Sequence, residues 1–130
     1  MKAKTGKIDT SKMRILPAKH EYDTAKYFGD RGYDIEFIPP NNSPNVHTPD
    51  FLMGGVAWEV KSPTGKSRRT IEKNFRKAML QSDSIIFDLR RCNISDDKCI
   101  AELEHRFEQK KNVKRMQVIK RDGTLLKYAR

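Results

Sequence analysis

The run Phe51-Leu52-Met53-Gly54-Gly55-Val56-Ala57-Trp58-Glu59-Val60-Lys61 constrains the fold more than any other part of the chain. Two short strand-like segments joined by Gly-Gly form a β-hairpin with a two-residue turn. That turn fixes a register in which Met53 faces Val56, Leu52 faces Ala57, Phe51 faces Trp58 and Asp50 faces Glu59. Side chains alternate across a strand. Phe51, Met53, Val56, Trp58 and Val60 therefore share a core-facing side, while Asp50, Glu59 and Lys61 share the other.

Two carboxylates placed opposite each other repel. In a half-buried site one of them must take up a proton, or a cation must lie between them. A divalent ion such as Mg²⁺ or Mn²⁺ resolves the conflict, because hard cations are held by one or two carboxylates plus water and phosphate oxygens. Lys61 reaches the same space, where an ammonium can assist a water nucleophile or offset charge building on a phosphate. The residues thus supply the parts of a metal-assisted phosphodiester hydrolase, with Asp50 and Glu59 as metal ligands and Lys61 as the third catalytic group. The structural alternative is an exposed hairpin face that merely carries charge.

Around this hairpin the chain reads as a small mixed sheet flanked by helices. Helical spacing runs from Ala18 to Arg31, and Tyr33–Ile38 alternates as a strand. The Pro- and Asn-rich residues 39–45 form a loop. A second helix runs from Arg68 to Ser82 with Ser67 as its N-cap, Ser84–Leu89 is a buried strand, and Ser95 caps a helix to Lys110. Asp122-Gly123 turns a C-terminal hairpin. Residues 1–14 have no clear period and are expected to be a basic flexible arm, with residues 15–130 forming one domain. Cys92 and Cys99 lack zinc spacing and read as reduced thiols. No apolar stretch approaches the roughly 18 residues of a membrane span, and no secretory signal is visible, so action in the cytosol of a producing or target cell is expected.

The formal charge is +10, and its distribution matters more than its sum. Within 61–77, Lys61, Lys66, Arg68, Arg69, Lys73, Arg76 and Lys77 face a single acid, Glu72. Residues 1–20 and 110–130 are also strongly basic. Such blocks suit a polyanion, most simply nucleic acid. Lys66, Arg68, Arg69, Lys73, Arg76 and Lys77 make a basic edge beside the hairpin that can track phosphates. Ser62 and Thr64 can add hydroxyl and turn-amide contacts. Gln81, seven residues after Asn74, shares its helix face and is a candidate substrate contact.

Pro49-Asp50 followed by Glu59-Val60-Lys61 resembles the PD-(D/E)xK nuclease motif, over roughly residues 18–90. More narrowly, Thr48–Ser67 and Asn74–Arg91 are similar to the C-terminal nuclease domain of CdiA-type contact-dependent growth-inhibition toxins. The resemblance implies an α/β fold with the restriction-endonuclease-like core, a metal held by Asp50 and Glu59, and a catalytic Lys61. It also implies a further acid from the first helix, for which Glu21 is in place, and a glutamine on the helix after the motif, matched by Gln81. The function implied is a metal-dependent endonuclease with RNA, tRNA in particular, as substrate, and a cognate immunity protein as partner. A DNA endonuclease of a mobile element or phage shares every site residue, and a non-catalytic nucleic-acid-binding module shares the fold and the basic face.

Overall fold

A computed structural model describes residues 5–41, 43, 44 and 46–130, without the Arg68 side chain. Ten elements follow in chain order: β1 (Ile8–Asp9), α1 (Lys19–Gly29), β2 (Ile35–Phe37), β3 (Phe51–Met53), β4 (Val56–Lys61), α2 (Arg68–Gln81), β5 (Ser84–Asp88), α3 (Asp96–Gln109), β6 (Arg115–Ile119) and β7 (Leu125–Ala129). The strands form a single seven-stranded sheet whose spatial order equals their chain order. β4, β5 and β6 are mutually parallel, while β2–β3, β3–β4 and β6–β7 are antiparallel.

The hairpin register is the one the Gly-Gly turn dictates, with Phe51 opposite Trp58, Leu52 opposite Ala57 and Met53 opposite Val56. Gly54 and Gly55 have φ of 59° and 76°. Both values are left-handed, as a type I′ turn needs and as glycine adopts without steric cost. Side-chain alternation then sorts the sheet into two faces. Phe51, Met53, Trp58, Val60, Ile86 and Ile119 pack with Ala25 and Phe28 of α1. Ile85, Phe87, Met116 and Val118 pack with Ile71 and Phe75 of α2 and Leu103 of α3. One helix thus covers one face and two cover the other.

Capping explains where the helices start. The Ser67 hydroxyl oxygen accepts from the Arg69 N–H at 3.1 Å. Ser95 does not cap with its side chain. Its carbonyl accepts from Cys99 N–H, and Asp96 and Asp97 supply negative charge in the first turn of α3 instead. Cys92 and Cys99 are buried free thiols with sulfurs 3.7 Å apart. Among the described residues no helix is long and apolar enough to cross a membrane.

The N-terminal segment differs from the expected flexible arm. Residues 1–4 lie outside the described residues, but Ile8–Asp9 pair in parallel with Ile35 and Glu36. Gly6 N–H donates to Gly29 O at 2.8 Å, and Lys7 N–H to the Asp34 carboxylate at 2.8 Å. A Cβ at Gly6 would stand 2.0 Å from the Tyr33 carbonyl oxygen, so only glycine allows this approach. The docking partners are more than twenty residues away in sequence, which is why no local period announces them.

Candidate active site

β4 delivers Glu59 and Lys61, and the residue entering β3 delivers Asp50. The regular ladder stops at Phe51–Trp58. One step beyond, the Asp50 N–H donates to Trp58 O at 2.9 Å, so Asp50 does not continue the expected ladder pairing with Glu59. The strand is locally kinked there. The Asp50 carboxylate turns across to accept the Val60 N–H at 2.7 Å, while its carbonyl accepts from Ile38 N–H at 3.0 Å. The Val60 N–H thus fixes the carboxylate, while Ile38 and Trp58 fix the Asp50 main chain.

Glu59 and, from α1, Glu21 each lie near Asp50, and Lys61 pairs with Glu59. Glu59 is 6% exposed, and Lys61 Nζ lies 3.2 Å from Glu59 Oε2. Burial and the adjacent Asp50 push the Glu59 carboxyl up to about 8, against a partial opposing pull from Lys61. Glu21, in the first turn of α1, is pushed up to about 7 by burial and by the same Asp50. The further acid implied from the first helix thus lies beside Asp50. One ammonium does not compensate three carboxyl groups, so Glu21 and Glu59 keep their protons to higher pH than ordinary glutamates do. His20, the neighbour of Glu21, is held below its usual value by burial and by Arg91.

Crowded carboxyl groups of this kind can be neutralised either by protons or by a cation. Among the described residues no three acidic, His or Cys side chains close on one point. Asp50 with Glu59 provides the two-carboxylate set that a hard divalent ion accepts when water and phosphate oxygens complete its shell.

The other expected contacts sort differently. Ser62 is buried, and its carbonyl and hydroxyl oxygens accept Arg91 Nε at 3.1 and 2.9 Å, so its hydroxyl anchors an arginine in place of the expected phosphate. The Thr64 carbonyl accepts from Asn93 at 2.8 Å, and its side chain is exposed. Lys66, Arg69, Lys73, Arg76 and Lys77 are exposed along the loop and α2, and Arg76 is paired with Glu72 at 2.8 Å. The expected role of the Arg68 side chain falls outside the described residues. Gln81 is not brought to the carboxylates. Its neighbour Ser82 donates to Ala57 O, at the turn end of β4 and away from Lys61. A helix of this length spans about 20 Å, and α2 runs back along β4, so sharing a face with Asn74 leaves Gln81 at the far end. Asn74 itself donates to Thr70 O.

Arg91 is the site neighbour that sequence reading misses. Its signal is positional: it follows β5, at the C-terminal edge of the parallel strands, where open α/β sheets gather ligand-binding residues.

Residues 47–125, more than half of the chain, match the model of the contact-dependent growth inhibition CdiA C-terminal domain. The chain belongs to that family. Its fold is also similar to a chain of the CdiA-CT/CdiI toxin and immunity complex from Burkholderia pseudomallei, with a TM-score of 0.71 and 18% identity over 96% of this chain and 100% of that one. No curated protein sequence matches significantly. The segment matched by the family contains Asp50, Glu59 and Lys61, whereas Glu21 and His20 lie before it.

Proposed function

We propose that this domain is a toxin-type, metal-dependent endonuclease of PD-(D/E)xK chemistry that hydrolyses phosphodiester bonds, with RNA, tRNA foremost, as substrate and a cognate immunity protein as partner. The observation that carries the reading is the crowding of Glu59 and Glu21 against Asp50 with Lys61 as the lone ammonium. A structural hairpin gains nothing from buried like charges, whereas a phosphate-cutting site needs acids that a cation can neutralise. Family membership supports the toxin role, and the immunity partner is named in the similar complex.

Asp50, oriented by the Val60 N–H, and Glu59 would hold the ion, with the Glu21 carboxyl beside Asp50. Bound Mg²⁺ or Mn²⁺ would supply Lewis-acid activation of water and phosphate. Lys61, on leaving Glu59, stabilises charge developing on the phosphate oxygens. Exposed cations on α2 hold the polyanion. Hydrolysis of this kind leaves 5′-phosphate and 3′-hydroxyl ends.

The test is side-by-side digestion of tRNA, single-stranded DNA and branched DNA with Mg²⁺, Mn²⁺ or excess EDTA, followed by sequencing of the ends. tRNA cleavage that EDTA abolishes is expected. Full cleavage in EDTA, or cyclic-phosphate ends, would overturn the metal mechanism. Cleavage of DNA alone would reassign the substrate.

A further inference from the structure

The carboxylate cluster leaves unused a cleft of about 600 Å³ that opens beside it. His20, Ser62, Tyr27, Asp88 and Gly123 of the β6–β7 turn are among its lining residues, with the Tyr27 hydroxyl donating to Gly123 O at 2.6 Å. The cleft follows the C-terminal ends of parallel β4 and β5, where open α/β sheets bind ligands. Its volume falls within the range of small-ligand pockets.

Two successive arginines in its wall differ in what they are free to do. Arg90 is committed, with Nε and Nη2 on the Asp88 carboxylate at 2.9 and 2.7 Å and Nη2 also on Asp23 O. Arg91 makes no ion pair with any described residue. Only its Nε is engaged, by the two oxygens of Ser62, the residue directly after Lys61. A guanidinium anchored through Nε, with both terminal nitrogens unengaged among the described residues, is pre-organised for a two-pronged grip on phosphate. The Tyr27 ring is not open for base stacking, because the Arg31 guanidinium lies 3.4 Å from its centroid. Tyr27 thus offers no stacking platform, and the contact assigned here is to phosphate through Arg91.

We infer that this cleft is the subsite for a nucleotide flanking the scissile bond, and that Arg91 clamps its phosphate. The substrate class rests on the nuclease reading; the anion subsite rests on the cleft and Arg91. Because phosphate contacts position a strand without reading it, loss of Arg91 should weaken all sequences alike.

The experiment is an amide NMR titration of the full chain with AMP, with adenosine and inorganic phosphate as separate arms, on wild type, Arg91→Ala and Arg91→Lys. AMP should shift Ser62, Arg91 and Gly123; phosphate should shift only the Arg91 end; adenosine should shift neither. Arg91→Ala should lose about tenfold in AMP affinity, as for a lost charge-assisted contact, and Arg91→Lys should recover part of it. No AMP binding, unchanged affinity in Arg91→Ala, or shifts confined to α2 would each overturn the inference. A chain that binds AMP through Arg91 but cuts neither RNA nor DNA would sink the nuclease reading and leave the subsite standing. Normal cleavage together with wild-type KM and AMP affinity in Arg91→Ala would sink the subsite alone.

Discussion

Asp88 and Glu59 are both buried acids near the C-terminal ends of neighbouring strands, yet their surroundings are opposite. Asp88 accepts from Thr24 Oγ1 at 2.7 Å and from Arg90 through its backbone N–H, Nε and Nη2. These donors outweigh burial, and its carboxyl is held below the ordinary value. Glu59 has Lys61 on one side and Asp50 on the other, and its carboxyl is pushed up to about 8. This sheet can therefore satisfy a buried acid completely with arginine and a hydroxyl. The crowded cluster next door is therefore not a limit of the fold; on the function proposed above, a bound cation would supply the positive charge it lacks.

That contrast is sharpest in cleavage. Asp50→Ala and Lys61→Ala should each lower the rate by about 10²–10⁴-fold, as for removal of a group acting directly on the reaction. Asp88→Asn, assayed below its melting temperature, should lose less than about tenfold. Comparable losses in all three would erase the distinction between a working acid and a structural one.

The next effect is on stability and has opposite signs at the two sites. Asp88→Asn removes the charge that Arg90 faces and should destabilise by about 3 kcal/mol in urea unfolding. Glu59→Gln relieves like-charge crowding and should stabilise the metal-free protein by about 1 kcal/mol at pH 8. A destabilised Glu59→Gln would mean that the Lys61 contact outweighs the repulsion.

pH separates the two acids as well. Glu59 and Glu21 are raised from 4.5 to about 8 and about 7. The folded state then holds more protons than the unfolded state between about pH 4.5 and 8, so in EDTA these groups make stability fall as pH rises through that window. Asp88 contributes stability that is present above its ordinary value of 3.8 and is lost as pH falls through its lower folded value. Urea midpoints measured from pH 3 to 9 with and without Mg²⁺ check both. Added Mg²⁺ should raise the midpoint more at pH 8 than at pH 5, because metal must compete with protons for the same oxygens. Equal gains at both values would place the ion elsewhere.

The smallest expected change lies on α2. Neutralising Lys73 or Lys77 should reduce the salt dependence of substrate binding by about one counterion each. Arg76→Ala should change it less, because Glu72 already offsets that charge. Fluorescence anisotropy at several salt concentrations measures these slopes, and an unchanged slope for Lys73 and Lys77 would leave that face merely solvated.

The hairpin was legible because two glycines admit one tight turn, and that turn sets every partner from Met53 to Trp58. Helices α1, α2 and α3 were legible from their apolar spacing. Three features were not. β1 depends on a partner strand more than twenty residues away and on the close approach at Gly6. The orientation of Asp50 depends on a departure from ladder geometry that alternation cannot express. The anchoring of Arg91 by Ser62 spans 29 residues. Gln81 was misplaced because a helical wheel shows which face a residue occupies but not which end of the strand it lies over.

The sheet has a kinetic consequence. Its strands lie side by side in the order in which the chain presents them, so no strand must wait for a later one to be inserted between it and its neighbour. Closure entropy is incurred in short instalments, hairpin by hairpin and crossover by crossover, which favours rapid assembly. Strands β1 to β4, which carry Glu59 and Lys61 and of which β3 begins beside Asp50, can thus pair with one another without waiting for the C-terminal hairpin.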